Sequence, residues 1–248
     1  MTIAPALVVV PTYQEADNIE RVLERLRVAA PDAGVLVVDD ASPDGTADLA
    51  EARGAHVLRR PGKAGLGSAY RAGFEWARVN GFGVAVEMDA DLSHDPDDVP
   101  RLLAAVDDGA DLAIGSRYVP GGATPDWPRR RRLLSRVGNR YAGRMLRLRV
   151  RDATAGFRAW RMDLLDAIDL DQVTTDGYGF QIDLTYRASR LGAQIAEVPI
   201  VFSDRRYGTS KMSGGIILEA LRLVTRWGVR DRIMPSRPGP AVATTSTG

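Results

Sequence analysis

The sequence predicts an α/β protein in which helices cover both faces of a doubly wound, mostly parallel sheet, with amphipathic helices towards the C-terminus. Up to about residue 120, short apolar runs alternate with segments of helical periodicity, as βαβ crossovers require. Polar loops follow four of the apolar runs, at the strand ends where such sheets bind ligands. No linker-like composition divides the chain. We therefore expect one domain over residues 1–235 and a disordered tail over residues 236–248.

The first strand shows the pattern on which the other assignments depend. Ala6–Val10 is wholly apolar, as expected of a strand that a parallel sheet buries on both faces. The segment after it has apolar residues three and four positions apart, which is helical spacing. In chain order the predicted elements are strand Ala6–Val10, helix Asp17–Ala30, strand Val35–Val38, helix Thr46–Arg53, strand Ala55–Leu58, helix Leu66–Asn80, strand Val84–Met88, helix Pro96–Asp107, strand Leu112–Gly115, a helix near Leu184–Leu191, a strand at Glu197–Phe202 and an amphipathic stretch from Gly215 to about Met234.

Composition and charge limit the kinds of functional site that the chain can contain. The 248 residues include no cysteine, which excludes disulfides, zinc–thiolate sites and a cysteine nucleophile. The net charge of +1 conceals ten arginines and no acidic residue between Arg129 and Arg151. Such a cationic segment indicates phosphate nearby, in nucleic acid, anionic lipid or a phosphorylated substrate. No window approaches the ~18 apolar residues of a membrane span, so we expect the protein to contact a membrane without crossing it.

The four polar loops should meet at one edge of the sheet, because the carboxyl ends of parallel strands lie there. Their agreement is more informative than any single motif. The loops are Pro11-Thr12-Tyr13-Gln14-Glu15 after the first strand, Asp39–Thr46 after the second, Arg60–Gly67 after the third and Asp89–His94 after the fourth.

Asp89 and Asp91 can direct two carboxylates at one cation. Hard, oxygen-ligated ions such as Mg²⁺ or Mn²⁺ suit this pair when a diphosphate supplies further oxygens. The alternative is that the pair caps the helix that starts near Asp95. Its position behind a buried strand favours the metal site.

The other loops supply polar groups for a nucleotide. Asp39 and Asp40 can accept hydrogen bonds from a base or ribose, or act as turn and cap residues before the second helix. The Gly62-Lys63-Ala64-Gly65-Leu66-Gly67 loop lets the backbone approach a ligand, and Lys63 provides a cation. This loop is neither a Walker A loop nor a dinucleotide-binding fingerprint.

Taken in order, the motifs PTYQE, VVDDASPDGT, RPGKAGLGSAY, MDADLSH and IGSRY closely resemble those of the inverting family-2 glycosyltransferases, whose fold is the nucleotide-sugar transferase A type. The second half resembles the polyprenyl- or dolichyl-phosphate mannosyltransferases within that family, and the similarity covers roughly residues 5–227. The motifs that carry it are WPRRRRLLSR from Trp127, Thr154-x-Gly156-Phe157-Arg158, Gly177-Tyr178-x-Phe180-Gln181, Glu197-Val198-Pro199-Ile200 and Arg205-x-Tyr207-Gly208-x-Ser210-Lys211.

The resemblance implies that mannose passes from GDP-mannose to a polyprenyl phosphate with inversion, giving a β-mannosyl phosphoryl polyprenol. A phosphate acceptor is anionic already and needs no dedicated base, so positioning and charge stabilisation are required instead. The implied donor residues are Pro11, Tyr13, Glu15, Asp39, Asp40, Lys63, Gly67, Asp89, Ala90 and Asp91. The implied acceptor-phosphate residues are Arg117, Arg131, Ser135, Arg205 and Lys211, of which the arginines and Lys211 act in catalysis together with Asp91. A Gln often stands at the position of Ser93, so either Ser93 or a water completes the metal shell here.

Several alternatives remain at this point. The same fold can use another donor, such as UDP-glucose, on the same lipid phosphate, or serve as a non-catalytic membrane-docking protein. A nucleic-acid partner is not expected, because the arginine run lacks a recognised reading motif. We expect Arg132, Arg136, Arg140, Arg144, Arg147 and Arg151 to share one helical face towards an anionic membrane, with Ile216, Ile217, Leu218, Leu221, Val224 and Trp227 dipping into the interface. Peripheral binding at the cytoplasmic face, or a separate membrane-anchoring protein, would then bring the enzyme to its lipid.

Overall fold

The structure is a computed structural model and describes residues 4–175, 177–203 and 214–233, with the side chains of the last segment from residue 220. Seven strands form one sheet in the order β3-β2-β1-β4-β6-β5-β7. In chain order the elements are β1 (Ala6–Thr12), α1 (Ala16–Ala29), β2 (Gly34–Asp39), α2 (Thr46–Ala52), β3 (His56–Arg59), α3 (Leu66–Val79), β4 (Val84–Glu87), α4 (Val99–Asp107), β5 (Leu112–Ser116), α5 (Arg129–Leu146), β6 (Arg158–Arg161), α6 (Met162–Ala167), α7 (Gly177–Arg190), β7 (Ile195–Pro199) and α8 (Gly214–Ile233).

The central strand β1 is buried on both faces, as its apolar sequence predicts. Leu7 and Val9 point to the face covered by α3, α6 and α7. Val8 and Val10 point to the opposite face, covered by α1, α2 and α4. This two-sided burial accounts for the wholly apolar run. The predicted doubly wound α/β class is confirmed.

Strand β6 departs from the parallel arrangement. It lies between β4 and β5 and pairs antiparallel with both. The sequence assigned no element type to this segment and did not predict the short helix α6. Helix α7 begins at Gly177, well before the expected start near Leu184. The prediction missed this first part of the helix because a Gly-Tyr-Gly sequence is typical of a loop. Strand β7 begins earlier and ends earlier than expected, because its partner β5 ends at Ser116.

Helices α5, α7 and α8 form a third, smaller apolar cluster beside the sheet. The rings of Tyr186 and Trp227 stack with centroids 5.7 Å apart, and the Tyr186 hydroxyl donates to Asp231 at 2.6 Å. Val224 is also buried. The expectation that Val224 and Trp227 enter a membrane interface is therefore wrong, because both pack against the protein.

Helix α5 is shorter than the arginine periodicity suggests. It ends at Leu146, and Arg147 takes a left-handed conformation with φ 56°. Arg147 and Arg151 consequently lie beyond the helix and do not continue the predicted arginine face. Across the described part of the chain, no helix combines the length and apolarity needed to cross a membrane.

Candidate active site

Hydrogen bonds join the loops that follow β1 and β2. The Asp40 amide donates to the Thr12 carbonyl at 3.1 Å, and the Gln14 amide donates to the Ser42 hydroxyl at 3.0 Å. The two loops are thus one rigid unit at the carboxyl edge of the sheet, where the sequence placed them.

The loop after β3 reaches the same unit. Lys63 Nζ lies 4.5 Å from the centre of the Tyr13 ring. The Arg60 guanidinium is 3.1 Å from an oxygen of Asp40, and the Ala64 amide donates to the other oxygen at 3.4 Å. Tyr13, Asp40 and Lys63, three of the predicted donor residues, are brought together here.

Two other predicted donor residues are engaged inside the loops. Asp39 accepts hydrogen bonds from the hydroxyls of Thr12 at 2.9 Å and Ser42 at 2.5 Å. The Glu15 carboxylate accepts a hydrogen bond from the side-chain amide of Asn18 at 2.9 Å. In this structure both side chains have partners within the protein, and the Asp39 carboxylate also accepts the Ser42 backbone amide at 2.9 Å. The remaining predicted donor residues are Pro11 near the end of β1, Gly67 in the first turn of α3 and Ala90 between the two aspartates.

Three of the four loops contain a non-glycine residue in the left-handed region. These residues are Gln14, Ala41 and Leu92, with φ of 59°, 56° and 60°. Such a conformation costs roughly 1–2 kcal/mol per residue and persists only where the surroundings impose it. Its recurrence at the strand ends of one sheet edge is consistent with a preorganised binding site.

The loop after β4 carries the predicted metal ligands. Asp91 is 3% exposed and accepts the Ser93 amide at 3.0 Å. The following helical turn is capped instead by Asp95, whose carboxylate accepts the Asp97 amide at 3.0 Å. The capping alternative for Asp89 and Asp91 is therefore not needed.

Ser93 provides a test of whether a metal fits. Its hydroxyl oxygen is buried and has no hydrogen-bond partner among the described residues. A buried, unsatisfied hydroxyl beside two carboxylates suits a hard cation. The part of the chain that the structure describes contains no group of three His, Cys, Asp or Glu placed to hold an ion. The predicted ligands Asp89, Asp91 and Ser93 would need further oxygens, such as those of a diphosphate, to complete a metal shell.

Asp89 is held from two sides: by Tyr70, to which the sequence assigned no role, and by His94, which the sequence predicted to lie near the site as a supporting or structural residue. The Tyr70 hydroxyl donates to its carboxylate at 3.4 Å. Its amide donates to Nδ1 of His94 at 3.1 Å, so Nδ1 is an acceptor. The imidazole stacks on Phe157 with centroids 4.9 Å apart. Burial, and then the charge of Asp89, raise the pKa of Tyr70 well above its ordinary value. Tyr70 is therefore a neutral donor to the carboxylate predicted to bind the metal.

A buried polar cluster lies directly behind this loop. Glu87 is 0% exposed and accepts hydrogen bonds from Trp160 at 2.7 Å and Gln181 at 2.5 Å. Burial raises the pKa of Glu87 to about 7, although the nearby Arg158 opposes the rise. The only sequence signal for this cluster is a carboxylate inside an apolar strand.

The arginine side of the site contains a fully buried ion pair. Arg117 donates to Asp152 through Nε and Nη2, both at 2.7 Å, and Nη2 also reaches the Thr154 hydroxyl at 2.9 Å. Burial opposes the charge on Asp152, but Arg117 outweighs it and holds the pKa of that carboxyl below its usual range. Most of the donor capacity of Arg117 is thus used within the protein.

The predicted acceptor residues of α5 lie next to this pair. The guanidinium carbon of Arg131 is 3.9 Å from the centre of the Trp127 ring, and Ser135 accepts the Tyr118 hydroxyl at 2.6 Å. Arg205 and Lys211 lie outside the described residues. The structure therefore brings Arg117, Arg131 and Ser135 together on one side of the site.

Comparison with known proteins identifies the family. Residues 7–169, more than half of the chain, match the family model for glycosyl transferase family 2. The chain belongs to this family. This family-2 transferase is 54% identical to an undecaprenyl-phosphate mannosyltransferase from Micrococcus luteus, over 91% of the chain and 95% of that protein. It is 51% identical to a polyprenol monophosphomannose synthase from Mycolicibacterium smegmatis, over 93% of the chain and 89% of that protein.

More distant proteins share the architecture. A dolichol-phosphate mannosyltransferase from Pyrococcus furiosus is 37% identical over 92% of the chain and 66% of that protein. Glucosyl-3-phosphoglycerate synthase from Mycobacterium tuberculosis, solved with UDP, aligns with a TM-score of 0.69 at 22% identity, over 91% of this chain and 80% of the other. Another structure of that synthase contains Mn²⁺, UDP-glucose and phosphoglyceric acid. At this identity the likeness concerns the fold alone.

Proposed function

We propose that this family-2 transferase moves mannose from GDP-mannose to a polyprenyl phosphate, with inversion, to give β-mannosyl phosphoryl polyprenol. The observation that carries the proposal is the identity of 54% and 51% to two polyprenyl-phosphate mannosyltransferases over nearly the whole chain. The geometry supports it, because a carboxylate pair and a group of arginines lie at one edge of the sheet, joined through His94, Phe202 and Trp127.

Different residues would bind the donor and the acceptor. Asp89 and Asp91, with Ser93 or a water, would hold Mg²⁺ or Mn²⁺, which neutralises charge on a departing nucleoside diphosphate. Lys63, above the Tyr13 ring, would meet the donor. The acceptor phosphate is already an anion and needs no proton removed before it attacks the sugar carbon. The chain's task is to hold that anion in line with the bond that breaks.

The acceptor end would be built from α5 and the segment before it. Arg131 and Ser135 present a guanidinium and a hydroxyl beside the buried Arg117. Arg205 and Lys211 would add charge according to the family motif. Attack from the face opposite the diphosphate gives inversion, so an α-linked donor yields a β-linked product.

A direct assay tests the proposal. Purified protein is incubated with a short-chain polyprenyl phosphate and either GDP-mannose or UDP-glucose, with Mg²⁺, Mn²⁺ or EDTA. We expect transfer from GDP-mannose, loss of transfer with EDTA and a β-linked product by NMR. Faster transfer from UDP-glucose would favour the alternative donor, an α-linked product would contradict direct displacement, and metal-bound protein inactive with both donors would favour the non-catalytic reading.

We also propose peripheral binding to the cytoplasmic face of an anionic membrane, directly or with a separate anchoring protein. The support is an exposed surface of mixed character on α5 and α8, in which arginines such as Arg136, Arg140 and Arg226 accompany apolar side chains. Basic, apolar helical faces of this kind lie in the lipid interface. The exposed apolar side chains are Leu133, Leu134 and Val137 on α5 and Leu221, Val229 and Ile233 on α8.

Vesicle sedimentation separates the possibilities. Val137→Glu should reduce binding to vesicles containing anionic lipid, whereas Val79→Glu, at a valine 71% exposed on α3, should leave binding unchanged. Equal vesicle binding by both variants and the wild type would show that this surface does not contact the membrane. Absence of wild-type binding would favour the separate anchoring protein.

A further inference from the structure

Trp127 is a buried aromatic residue between the two halves of the site. Its side chain is 4% exposed, and its indole ring lies 3.9 Å from the guanidinium carbon of Arg131 and 5.3 Å from that of Arg117. Its backbone is fixed separately, since its amide donates to the Thr124 carbonyl at 3.3 Å and its carbonyl accepts from Arg132 at 3.2 Å.

The position of the Trp127 ring is set by the side chains that contact it. Its Nε1 is buried and has no hydrogen-bond partner among the described residues, although a buried indole N–H usually finds one. Its edge meets Phe202 with centroids 5.6 Å apart at 78°. The described contacts of the ring are therefore packing against Phe202 and two guanidinium groups.

The same ring is connected to the metal-binding loop. Phe202 meets His94 edge to face, with centroids 5.4 Å apart at 73°. His94 in turn accepts the Asp89 amide at 3.1 Å. A continuous series of contacts therefore runs from the predicted metal ligand to Arg131. Because protein interiors are closely packed, such a series fixes the separation of its two ends.

A cation–π contact is well suited to orienting a phosphate-binding arginine. The ring attracts the flat face of the guanidinium. The five N–H donors lie in the guanidinium plane and so stay directed away from the ring. An arginine in this orientation can present two in-plane N–H donors to the paired oxygens of a phosphate.

We infer that Trp127 is a positioning residue for acceptor binding: its ring orients Arg131 towards the acceptor phosphate, beside Arg117 that Asp152 already holds, and, through Phe202 and His94, sets the separation of Arg131 from the loop of Asp89 and Asp91. The inference rests on the proposed function, which supplies the phosphate acceptor. A purely structural Trp127 would stabilise the fold without affecting acceptor and donor differently.

The test compares Trp127→Phe and Trp127→Leu with a matched control, Trp76→Leu. Trp76 lies on α3 and packs against His56 and Phe82. Thermal unfolding establishes folding, calorimetry measures binding of GDP and of a short-chain polyprenyl phosphate, and steady-state kinetics give KM for each substrate and kcat. Trp127→Leu should weaken acceptor binding about thirtyfold, the factor corresponding to a desolvated cation–π contact of about 2 kcal/mol. Trp127→Phe should weaken it severalfold, and GDP binding should stay within about twofold in all variants.

A double-substitution cycle measures the coupling between Trp127 and Arg131 in acceptor binding, which a purely structural role of Trp127 would not produce. If the ring acts through Arg131, then Arg131→Ala should cost much less in the Trp127→Leu background than in the wild type. Full additivity, unchanged acceptor binding in Trp127→Leu, or equal loss of GDP and acceptor binding would overturn the inference. If Trp127→Leu does not fold, the same cycle is measured with Trp127→Phe.

The outcomes also separate this inference from the proposed function. If the wild-type protein neither binds nor glycosylates a polyprenyl phosphate, the proposed function fails. The same variants titrated with inorganic phosphate then still decide whether Trp127 orients Arg131. If the wild type is active and the variants bind acceptor normally, only the inference about Trp127 fails.

Discussion

Asp152→Asn should destabilise the protein by about 3–5 kcal/mol, the cost of leaving one partner of a buried ion pair without its counter-charge. Asp152 is 0% exposed and Arg117 5%. The carboxylate accepts the Arg117 amide at 3.0 Å as well as two guanidinium donors at 2.7 Å. An asparagine at this position keeps one acceptor oxygen and turns an NH₂ group towards those donors.

The magnitude follows from the size of the protein's stability. Domains have unfolding free energies of about 5–15 kcal/mol, so the change removes a large share of the total. With a urea slope of about 2 kcal/mol per molar, the midpoint should fall by roughly 2 M. Arg161→Ala or Asp163→Asn provides the control, because the Arg161–Asp163 contact at 3.1 Å is solvent-exposed and should contribute less than about 1 kcal/mol.

Urea unfolding followed by circular dichroism measures the effect, and its pH dependence gives a second check. The pKa of Asp152 is lowered in the folded protein. Its stabilising effect is therefore complete above the ordinary aspartate pKa of 3.8 and is lost as the pH falls through the folded value. The difference between wild type and variant should stay constant from about pH 8 to pH 5. A loss below about 1 kcal/mol would refute the reasoning, because the pair would then be solvated.

Three further predictions concern other parts of the site and core. Asp91→Asn should abolish metal-stimulated transfer and weaken Mn²⁺ binding, measured by electron paramagnetic resonance, while the melting temperature in EDTA stays unchanged; undiminished Mn²⁺ binding would contradict the metal assignment. The pKa of Glu87 is raised from 4.5 to about 7, so its protonated form favours folding below pH 4.5 and that contribution, about 3 kcal/mol at most, is lost as the pH rises through 7. In EDTA, Glu87→Gln should flatten this part of the stability profile, and an unchanged profile would show that folding does not raise the pKa of Glu87. Gly73→Ala would place a methyl group 2.3 Å from Cγ1 of Val9 and should cost about 1–3 kcal/mol in urea unfolding; a loss below about 0.5 kcal/mol would show that α3 shifts freely.

The strand-end loops could be predicted because their signals are local. An apolar run such as Ala6–Val10 identifies a buried strand, and the polar residues after it must then lie at the carboxyl edge. The place of Asp89 and Asp91 in the site followed from this reasoning. The hydrogen bond between Asp39 and Thr12 depends on how two neighbouring loops pack and could not be predicted in this way.

The arginine side was harder to predict because its contacts join residues far apart in sequence. Asp152 meets Arg117 across 35 positions, and the bare sequence does not distinguish a buried arginine from an exposed one. Strand β6 was missed for the same reason, since its partners are non-local. The orientation of α8 was predicted only in part because both of its faces contain large apolar residues: Leu221 is exposed as expected, whereas Val224 is buried and Trp227 stacks on Tyr186. The side chains of Ile216, Ile217 and Leu218 lie outside the described residues.

The antiparallel strand β6 has a consequence for how the chain folds during synthesis. Strand β4, which precedes the loop of Asp89 and Asp91, is paired on one side with β1 but on the other with β6, made about seventy residues later. Until β6 emerges, β4 is an open edge, and Glu87 lacks the Trp160 and Gln181 that later bond it. Non-local pairing of this kind is slow and leaves strand edges exposed to aggregation. We therefore expect a fragment ending near residue 120 to be captured by chaperones rather than to fold as a nucleotide-binding unit.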